Sequence, residues 1–521
     1  MKREIVHQSV KRLTTVVFLF CLAFSCTDLD VPVYDKVSNF WTTPKQIEQG
    51  AAQAYVKLRS YATTGFGGVA NVYNMHEAST DEIIVPVRGI DWVDISIWEH
   101  LWKHTWTPTS LCVQDGWQFI FNGVDAINLI IESLENLPPD NSYDAGPLLA
   151  EMQTLRAFYY YQALDLFGNV PIVEKRNVTA AEVFTRPRQE VFTYVEDQLE
   201  QNLPALSQDV NGVTYGRATQ WFAYALLAKL YLNAAVYTGT PRWVDCISAC
   251  DAILNSGKYV LEDDFFKNFT INNEDSRENI FAIPFDFNAG MGLFMMQLFT
   301  LHYNSGATFG LQVGGANGLC STAEYLSIFS DNDLRKKMFL VGQQYVDQIE
   351  DVDHLQYDNL GNLLIFDPVI TSFHVQPPKI ETAGARCAKW EFNKVGWNMN
   401  NDFAVYRLAD IVLMKAEAQF MNGDKAGALA TINKKYNSVS IRSRAGLPDF
   451  SQAELTLDGI LAERARELAW EGHRRNDMIR LGHFTDPRIP EKAQSQDFRK
   501  LFPIPQAERD KNKYLEQNPG Y

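Results

Sequence analysis

LAERARELAWEGHRRNDMIRL, Leu461–Leu481, is the stretch whose reading decides the fold. Apolar or small residues recur at Leu461, Ala465, Leu468, Ala469, Gly472 and Ile479, a three-and-four spacing that lays one stripe along a helix. Such a stripe needs a large core to face. The other side carries Glu467, Glu471, Arg474, Arg475, Asp477 and Arg480, with Glu471 four residues before Arg475, a favourable order for a pair on one helix face. An exposed pair of this kind contributes only about 0.3–0.5 kcal/mol. So many ions beside apolar residues therefore predict a helix tied by charge to neighbouring chain.

A second segment, LFPIPQAERDKNKYLEQNPGY from Leu501, opens with Pro503 and Pro505, which forbid a helix there and favour an extended run. It can only pack against the rest. Together, the helix core RELAWEGHRRNDMIR (Arg466–Arg480), the strand-like LFPIPQ (Leu501–Gln506) and the terminal QNPGY (Gln517–Tyr521) resemble the C-terminal signature of the SusD/RagB family. That family comprises surface lipoproteins of Bacteroidetes-type bacteria that capture nutrients. Asn476 stands where the family pattern usually has an aromatic. The resemblance concerns the scaffold and says little about the ligand. It implies binding without turnover, and a SusC-like TonB-dependent outer-membrane transporter as partner.

The first 25 residues read as a secretory signal: Lys2, Arg3, Lys11 and Arg12 precede the apolar run Val16–Phe24. Ser25 before Cys26 resembles a lipoprotein cleavage site that leaves Cys26 as the lipidated first residue, although Ala23 and Phe24 depart from the commonest pattern. Ordinary cleavage to a soluble secreted protein is the competing reading. Each buried methylene of a lipid contributes about 0.8 kcal/mol, so two or more chains suffice to anchor a protein. The Thr27-Asp28-Leu29-Asp30 that follows resembles the tag sending such lipoproteins to the outer leaflet, and reads equally as a solvated tether. The expected location is the outer membrane, lipid-anchored and surface-exposed. Loss of the signal removes a net charge of +3 from a chain of net charge −16, which speaks against nucleic acid as a partner. Cys112, Cys246, Cys250, Cys320 and Cys387 are too scattered for a disulfide framework; Cys246 and Cys250, one helical turn apart, read as small buried side chains.

Along the chain, Thr43-Pro44-Lys45-Gln46 is a capped helix start, with the helix running to about Tyr61 and broken by Gly65, Gly67 and Gly68. A second helix is predicted over Asp115–Leu137. From Leu148 the pattern repeats as helix, short turn and helix: Leu148–Leu166 with Gln189–Leu203, Thr219–Asn233 with Trp243–Leu254, and Phe403–Met421 with Lys425–Lys435. The small residues Ala416, Ala418, Gly427 and Ala428 sit where paired helices approach closely, a spacing that resembles tetratricopeptide repeats. The expected class is mainly all-α, a tetratricopeptide-like repeat scaffold with a long irregular insertion. Its expected divisions are a signal at 1–25, a tether at 26–40, an N-terminal helical region at 41–264, a loop-rich insertion at 265–402 and a C-terminal region at 403–521. A peptide-binding repeat adaptor is the rival for these helices alone, but their interruption speaks against a free concave array. Within the insertion, Ile280–Phe285 reads as a short strand, followed by a run rich in Gly, Asn and aromatics through Gly318.

No Gly-x-Ser-x-Gly elbow, phosphate-binding glycine loop, His-Glu-x-x-His or Cys-x-x-Cys is present, so neither an enzyme nor a cofactor is expected. His100 and His104 lie four apart without a third metal ligand in view, and Asn272–Ser276 is oxygen-rich without the spacing of a calcium loop; both read better as ordinary side chains, and no metal is expected. The informative cluster is RGIDWVDISIWEHLWKHTW, Arg88–Trp106, with Trp92, Trp98, Trp102 and Trp106. Sugar rings present apolar C–H faces and a rim of hydroxyls, so a glycan site needs flat aromatic platforms beside donors and acceptors. Asp81, Arg88, Asp91, Trp92 and Trp98 supply both here, whereas Trp102 and Trp106 read equally as the buried face of a helix. Members of the resembled family place their ligand on loops near this point and in the insertion, where Phe287, Phe294 and Tyr303 are the better candidates among aromatics that include Trp390 and Trp397.

The function expected is therefore a non-catalytic surface lipoprotein that binds an oligosaccharide and delivers it to the transporter, capping its mouth like a lid. Two or three stacking platforms, less ordering costs, predict dissociation constants of about millimolar to micromolar. A RagB-like peptide-binding lipoprotein and a secreted glycoside hydrolase are the alternatives, since paired carboxylates are judged by separation in space.

Overall fold

The computed structural model describes residues 41–62, 72–138, 141–290 and 294–521. The signal, Cys26, the tether and the glycines at 65–68 lie outside the described residues. The described chain is helix-rich, with few and short strands. Helix α1 (Pro44–Leu58) starts with the capping box that Thr43 and Gln46 encode, and is followed by α2 (Val72–Glu77), α3 (Ile97–Lys103) and the long α4 (Leu111–Glu135). Then come α5 (Gly146–Leu166), α6 (Arg188–Asn202), α7 (Gln220–Leu232) and α8 (Trp243–Ser256). After the insertion come strand Phe403–Arg407, α9 (Leu408–Met421), α10 (Lys425–Asn433), α11 (Leu457–Glu467) and α12 (Arg474–Leu481). No described helix is long and apolar enough to cross a membrane.

Helices α5/α6, α7/α8 and α9/α10 pack as hairpins, as the repeating pattern predicts. In α5, α7 and α9 nearly every position is buried, because each is sandwiched between neighbours rather than lying on a surface. Gly257, at a φ of +66°, closes α8 in the left-handed conformation that a side chain disfavours. The repeats are not dispersed in space: α8 lies directly on α9, so the spine closes across the insertion. All five cysteines in the described residues are buried free thiols.

Two expectations need correction. Phe403–Arg407 is not the first turn of a helix but a strand, β2, paired antiparallel with β1 (Asn279–Ile283), Phe281 facing Tyr406 and Ala282 facing Ala404. Its residues are buried on both faces, and Phe281 stacks on Phe222 of α7 at 3.9 Å, so aromatic and β-branched residues suit a strand here. Nor is Leu461–Leu481 one helix. It stops at Glu467 and resumes at Arg474, with Trp470 and Gly472 at φ of 63° and 86°. The cause is distant in sequence: the buried carboxyls of Glu82 and Glu77 accept the N–H groups of Trp470 and Gly472. Burial pushes Glu82 up to about 8 and raises Glu77 as well.

The charges of this stretch do tie it to neighbouring chain, but not through the pair of Glu471 with Arg475. Glu471 instead accepts from Lys389 at 2.6 Å and Arg407 at 2.7 Å, while Arg475 reaches Asp165 of α5 at 2.8 Å. Glu467 is shared by Arg335 (2.9 Å), Arg407 (2.6 Å) and Arg444 (2.5 Å), all with side chains no more than 1% exposed. Arg464 joins Asp410 (2.8 Å) to Asp477 (2.7 Å), and Arg480 joins Glu417 of α9 to Asp477. The C-terminal segment seals the same region. Phe502 donates its N–H to Leu166 O at 2.8 Å, and the Tyr521 hydroxyl accepts from Trp106 at 2.6 Å.

Three buried guanidiniums facing Glu467 hold its carboxyl well below the usual range. Glu467→Ala takes one carboxylate from all three at once, leaving them to their remaining partners, and should lower unfolding free energy by about 3–5 kcal/mol in a denaturant titration. Wild-type stability in that variant would show the lattice to be dispensable.

Candidate binding face

The face is assembled from three segments brought together by short ladders. Val87–Arg88 pairs in parallel with His374–Val375, and Arg88 then closes a turn with Asp91, exchanging backbone hydrogen bonds of 3.0 and 3.1 Å. That turn throws Ile90 into solvent, 90% exposed. Beyond it Trp92, Asp94, Ile95 and Ser96 all take positive φ, 62°, 25°, 51° and 60°. Such values are rare for non-glycine residues, costing of order 1–3 kcal/mol each, and they cluster at functional sites.

Trp92 is half-buried. Its indole N–H donates to Ala316 O at 2.8 Å, and its ring meets Trp98 and Phe299 edge-on at 6.1 and 5.9 Å. Glycines 314, 315 and 318 explain how the ring fits. A Cβ on Gly314 or Gly315 would lie 1.8 or 1.9 Å from the carbonyl of Tyr303 or Leu301, and one on Gly318 would lie 2.2 Å from Trp92 Cζ2. Only glycine permits the segment to run against both backbone and indole. Its ladder includes Gly315 to His302 O at 3.0 Å and Gly318 to Phe299 O at 2.9 Å.

Beside the indole, the half-buried Tyr303 donates its hydroxyl to the exposed Asp91 carboxylate. Burial, then Asp91, raise the phenol's pKa. His302 lies beneath, pushed down to about 3 by burial and by Arg386 and Arg88. It is therefore neutral. With Nδ1 accepting from Asn304 N at 3.1 Å, Nε2 carries the proton and donates to Glu381 at 3.0 Å. Glu381 also accepts from Asn359 N at 2.9 Å, and burial raises its pKa. Asn304 holds the carbonyl of Tyr357, whose residue is 48% exposed, at 2.8 Å.

The structure thus brings together Arg88, Asp91, Trp92, Trp98 and Tyr303, but not all in the expected role. Arg88 is 4% exposed and turns inward, donating to Ala383 O at 2.7 Å and Ile380 O at 3.1 Å. It positions the floor. Trp98, also 4% exposed, gives its N–H to Asp94 at 2.9 Å and braces Trp92 rather than offering a platform. Trp102 and Trp106 are fully buried core residues. Asp81 is elsewhere, in a two-point pair with Arg474 at 2.8 and 2.7 Å. Phe294 is in the core among Phe285, Trp390 and Phe403 at 5.4–6.1 Å, because its segment is the inner edge of the insertion. Phe287 is 49% exposed on the turn after β1, held through its N–H to Asn400, and no contact joins it to Trp92. Sequence reasoning missed His302, Asn304, Tyr357 and Glu381. The Gly-Gly-Ala-Asn-Gly run at 314–318 was the available signal, since clustered glycines announce a close backbone approach.

Neither metal candidate gathers ligands. His104 is stacked on Phe484 at 4.3 Å and both its ring nitrogens are engaged, by Ser79 O at 2.7 Å and Ser495 at 2.9 Å. In 272–276, Asn273 and Ser276 bind Asn268 instead. Among the described residues no group of three or more His, Cys, Asp or Glu is placed to hold an ion. What the face offers is a braced indole, a phenol, and carboxylates as acceptors for hydroxyl groups.

The chain is similar to known proteins over most of its length. Residues 384–521 match the family model described as "SusD family", and residues 45–232 match the one described as "Starch-binding associating with outer membrane". The starch-binding protein SusD of Bacteroides thetaiotaomicron is 24% identical over 87% of this chain and 86% of its own length. SusD-like protein P38 of Formosa agariphila is 24% identical over 95% of each. Among solved structures, a SusD superfamily protein of Parabacteroides distasonis superposes with a TM-score of 0.72 at 20% identity, covering 92% of this chain and 99% of that one. Surface glycan-binding protein A of Bacteroides thetaiotaomicron, in complex with laminarihexaose, does so at 0.71 and 21% identity, covering 92% and 100%.

Gly318→Ala should push the Trp92 indole off Ala316 while leaving the helical spine intact. The expected sign is a change in intrinsic fluorescence at unchanged far-ultraviolet dichroism, absent when the same change is made in a Trp92→Phe background. A fluorescence change that persists there would place the effect on another tryptophan.

Proposed function

Because residues 384–521 match the SusD family model and residues 45–232 the model of starch-binding proteins associating with the outer membrane, we propose that this chain is a non-catalytic SusD-like protein that captures a neutral oligosaccharide on the Trp92–Tyr303 face. The observation that carries this reading is the Trp92 indole, clamped edge-on by Trp98 and Phe299 and set beside the Tyr303–Asp91 pair and Glu381. A rigid ring stacks on the C–H face of a sugar without first losing freedom. Asp91 and Glu381 accept hydroxyl protons, and Tyr303 Oη retains acceptor capacity for a neighbouring one. Neutral sugars suit the rim because its carboxylates, in a chain of net charge −16, repel uronates.

Cys26 is the proposed lipidation site, and a SusC-like TonB-dependent transporter the proposed recipient, with the protein surface-exposed above it. Both come from family membership and the N-terminal sequence. A rigid weak-binding platform fits that task, since cargo held at about micromolar to millimolar affinity is released readily.

Trp92→Ala should weaken binding of laminarihexaose or maltohexaose by about 1–3 kcal/mol, roughly 5–150-fold, in titration calorimetry. Polygalacturonate should give no heat with either protein. Unchanged hexaose affinity removes Trp92 from the site, and binding of peptides in place of glycans moves the assignment to the RagB-like reading. Separately, Cys26→Ala should shift the full-length protein from the membrane to the soluble fraction; a variant still sedimenting with membranes would rule out lipid on Cys26 as the anchor.

A further inference from the structure

Among the described residues Trp397 is the one tryptophan left exposed, at 43%. It stands on the 393–400 loop, two residues after the exposed Val395. Hydrogen bonds brace that loop from beneath. The buried Gln297 donates its amide to Asn393 O and Gly396 O, each at 3.0 Å, and accepts from Asn393 N at 2.8 Å, while Asn393 Nδ2 reaches Asn398 O at 2.8 Å. The exposed Phe287 is fastened to the same loop, its N–H donating to Asn400 Oδ1 at 3.0 Å. Large apolar rings kept in solvent on a braced turn mark a surface that something else covers.

This loop also joins the run that carries Trp92. Gln312 donates its N–H to Lys394 O at 3.0 Å, and four residues further on Ala316 O accepts the Trp92 indole N–H. Those four steps span at most about 14 Å. Within them Gly314, Gly315 and Ala316 carry nothing larger than a methyl, so the run forms a low floor with one indole near each end. The polar groups around the far end are planar amides: Gln312 and Asn288 are exposed, and the Asn400 amide nitrogen donates to no described residue. Amides both donate and accept, as sugar hydroxyls require, and the rings supply the flat surface for a C–H face. We propose that Trp397, with Phe287 beside it, is a distal platform for the same glycan that Trp92 holds. A chain long enough to lie along the 312–316 floor is then preferred over one that reaches Trp92 alone. This rests on the Trp92 reading and adds a length preference to it.

Trp397→Ala changes an exposed position, so the fold should persist, as far-ultraviolet dichroism would show. Calorimetry with the trioses and hexaoses of the malto and laminari series separates the two ends of the face. In the wild type the hexaose should bind at least about fivefold tighter than the triose of its series. Trp397→Ala should bring the hexaose down to the triose level and leave the triose unchanged, Phe287→Ala should cause a smaller loss confined to the hexaose, and Trp92→Ala should weaken both lengths. Equal wild-type affinity for the two lengths, or an unchanged hexaose affinity in Trp397→Ala, overturns the distal platform while a loss in Trp92→Ala keeps the Trp92 reading. A loss at both lengths in Trp397→Ala with none in Trp92→Ala overturns both, as does silence with every sugar.

Discussion

Burying a guanidinium–carboxylate lattice is the constraint on which the rest of this structure depends. Glu467 alone faces Arg335 from the insertion, Arg407 from β2 and Arg444 from the chain after α10. None of these charges is tolerable in the interior without the others, because desolvating one ion costs several kcal/mol that only close, well-directed partners offset. The lattice therefore acts as a conjunction, in which segments more than a hundred residues apart in sequence must all arrive for any to be stable. Lys229 and Arg464 on Asp410, and Arg475 on Asp165, extend the same demand to α7, α9 and α5. Arg474 on Asp81 extends it to the segment leading into the candidate face.

Much of the helical spine was legible because its signals are local. Thr43 and Gln46 encode a cap, Gly257 a stop, and the three-and-four spacing from Leu148 onward a series of hairpins, and these appear as read apart from the first five residues of the third. What could not be read was decided by partners remote in sequence. Phe403–Arg407 satisfies a helical pattern until β1 arrives to pair with it. Similarly, Leu461–Leu481 is helical by every local measure, and breaks because Glu77 and Glu82 take two of its N–H groups.

The same division holds at the candidate face. Trp92, Asp91 and Tyr303 announce themselves by composition, as flat rings and acceptors on loops, and the structure sets them side by side. Trp98 has identical chemistry but falls on the inner face of α3, where it braces. Phe294 is lost to the core for a comparable reason, since three other rings enclose it. Glu381 and His302 carry no signal of their own. They become neighbours only once glycines 314, 315 and 318 let the backbone fold tightly against 298–303.

The contact of α8 with α9 carries a kinetic consequence. Joining these helices closes a loop of about 150 residues, and since closure entropy rises only logarithmically with length, each doubling adding about 0.6 kcal/mol, the equilibrium penalty is modest. The delay is not, because non-local pairings form slowly and the apolar flanks of both helices stay uncovered until they meet. Nascent chains must therefore spend an interval with half a spine exposed. That interval is when the chain is most open to aggregation, since uncovered apolar helix flanks pair with one another as readily as with their native partners.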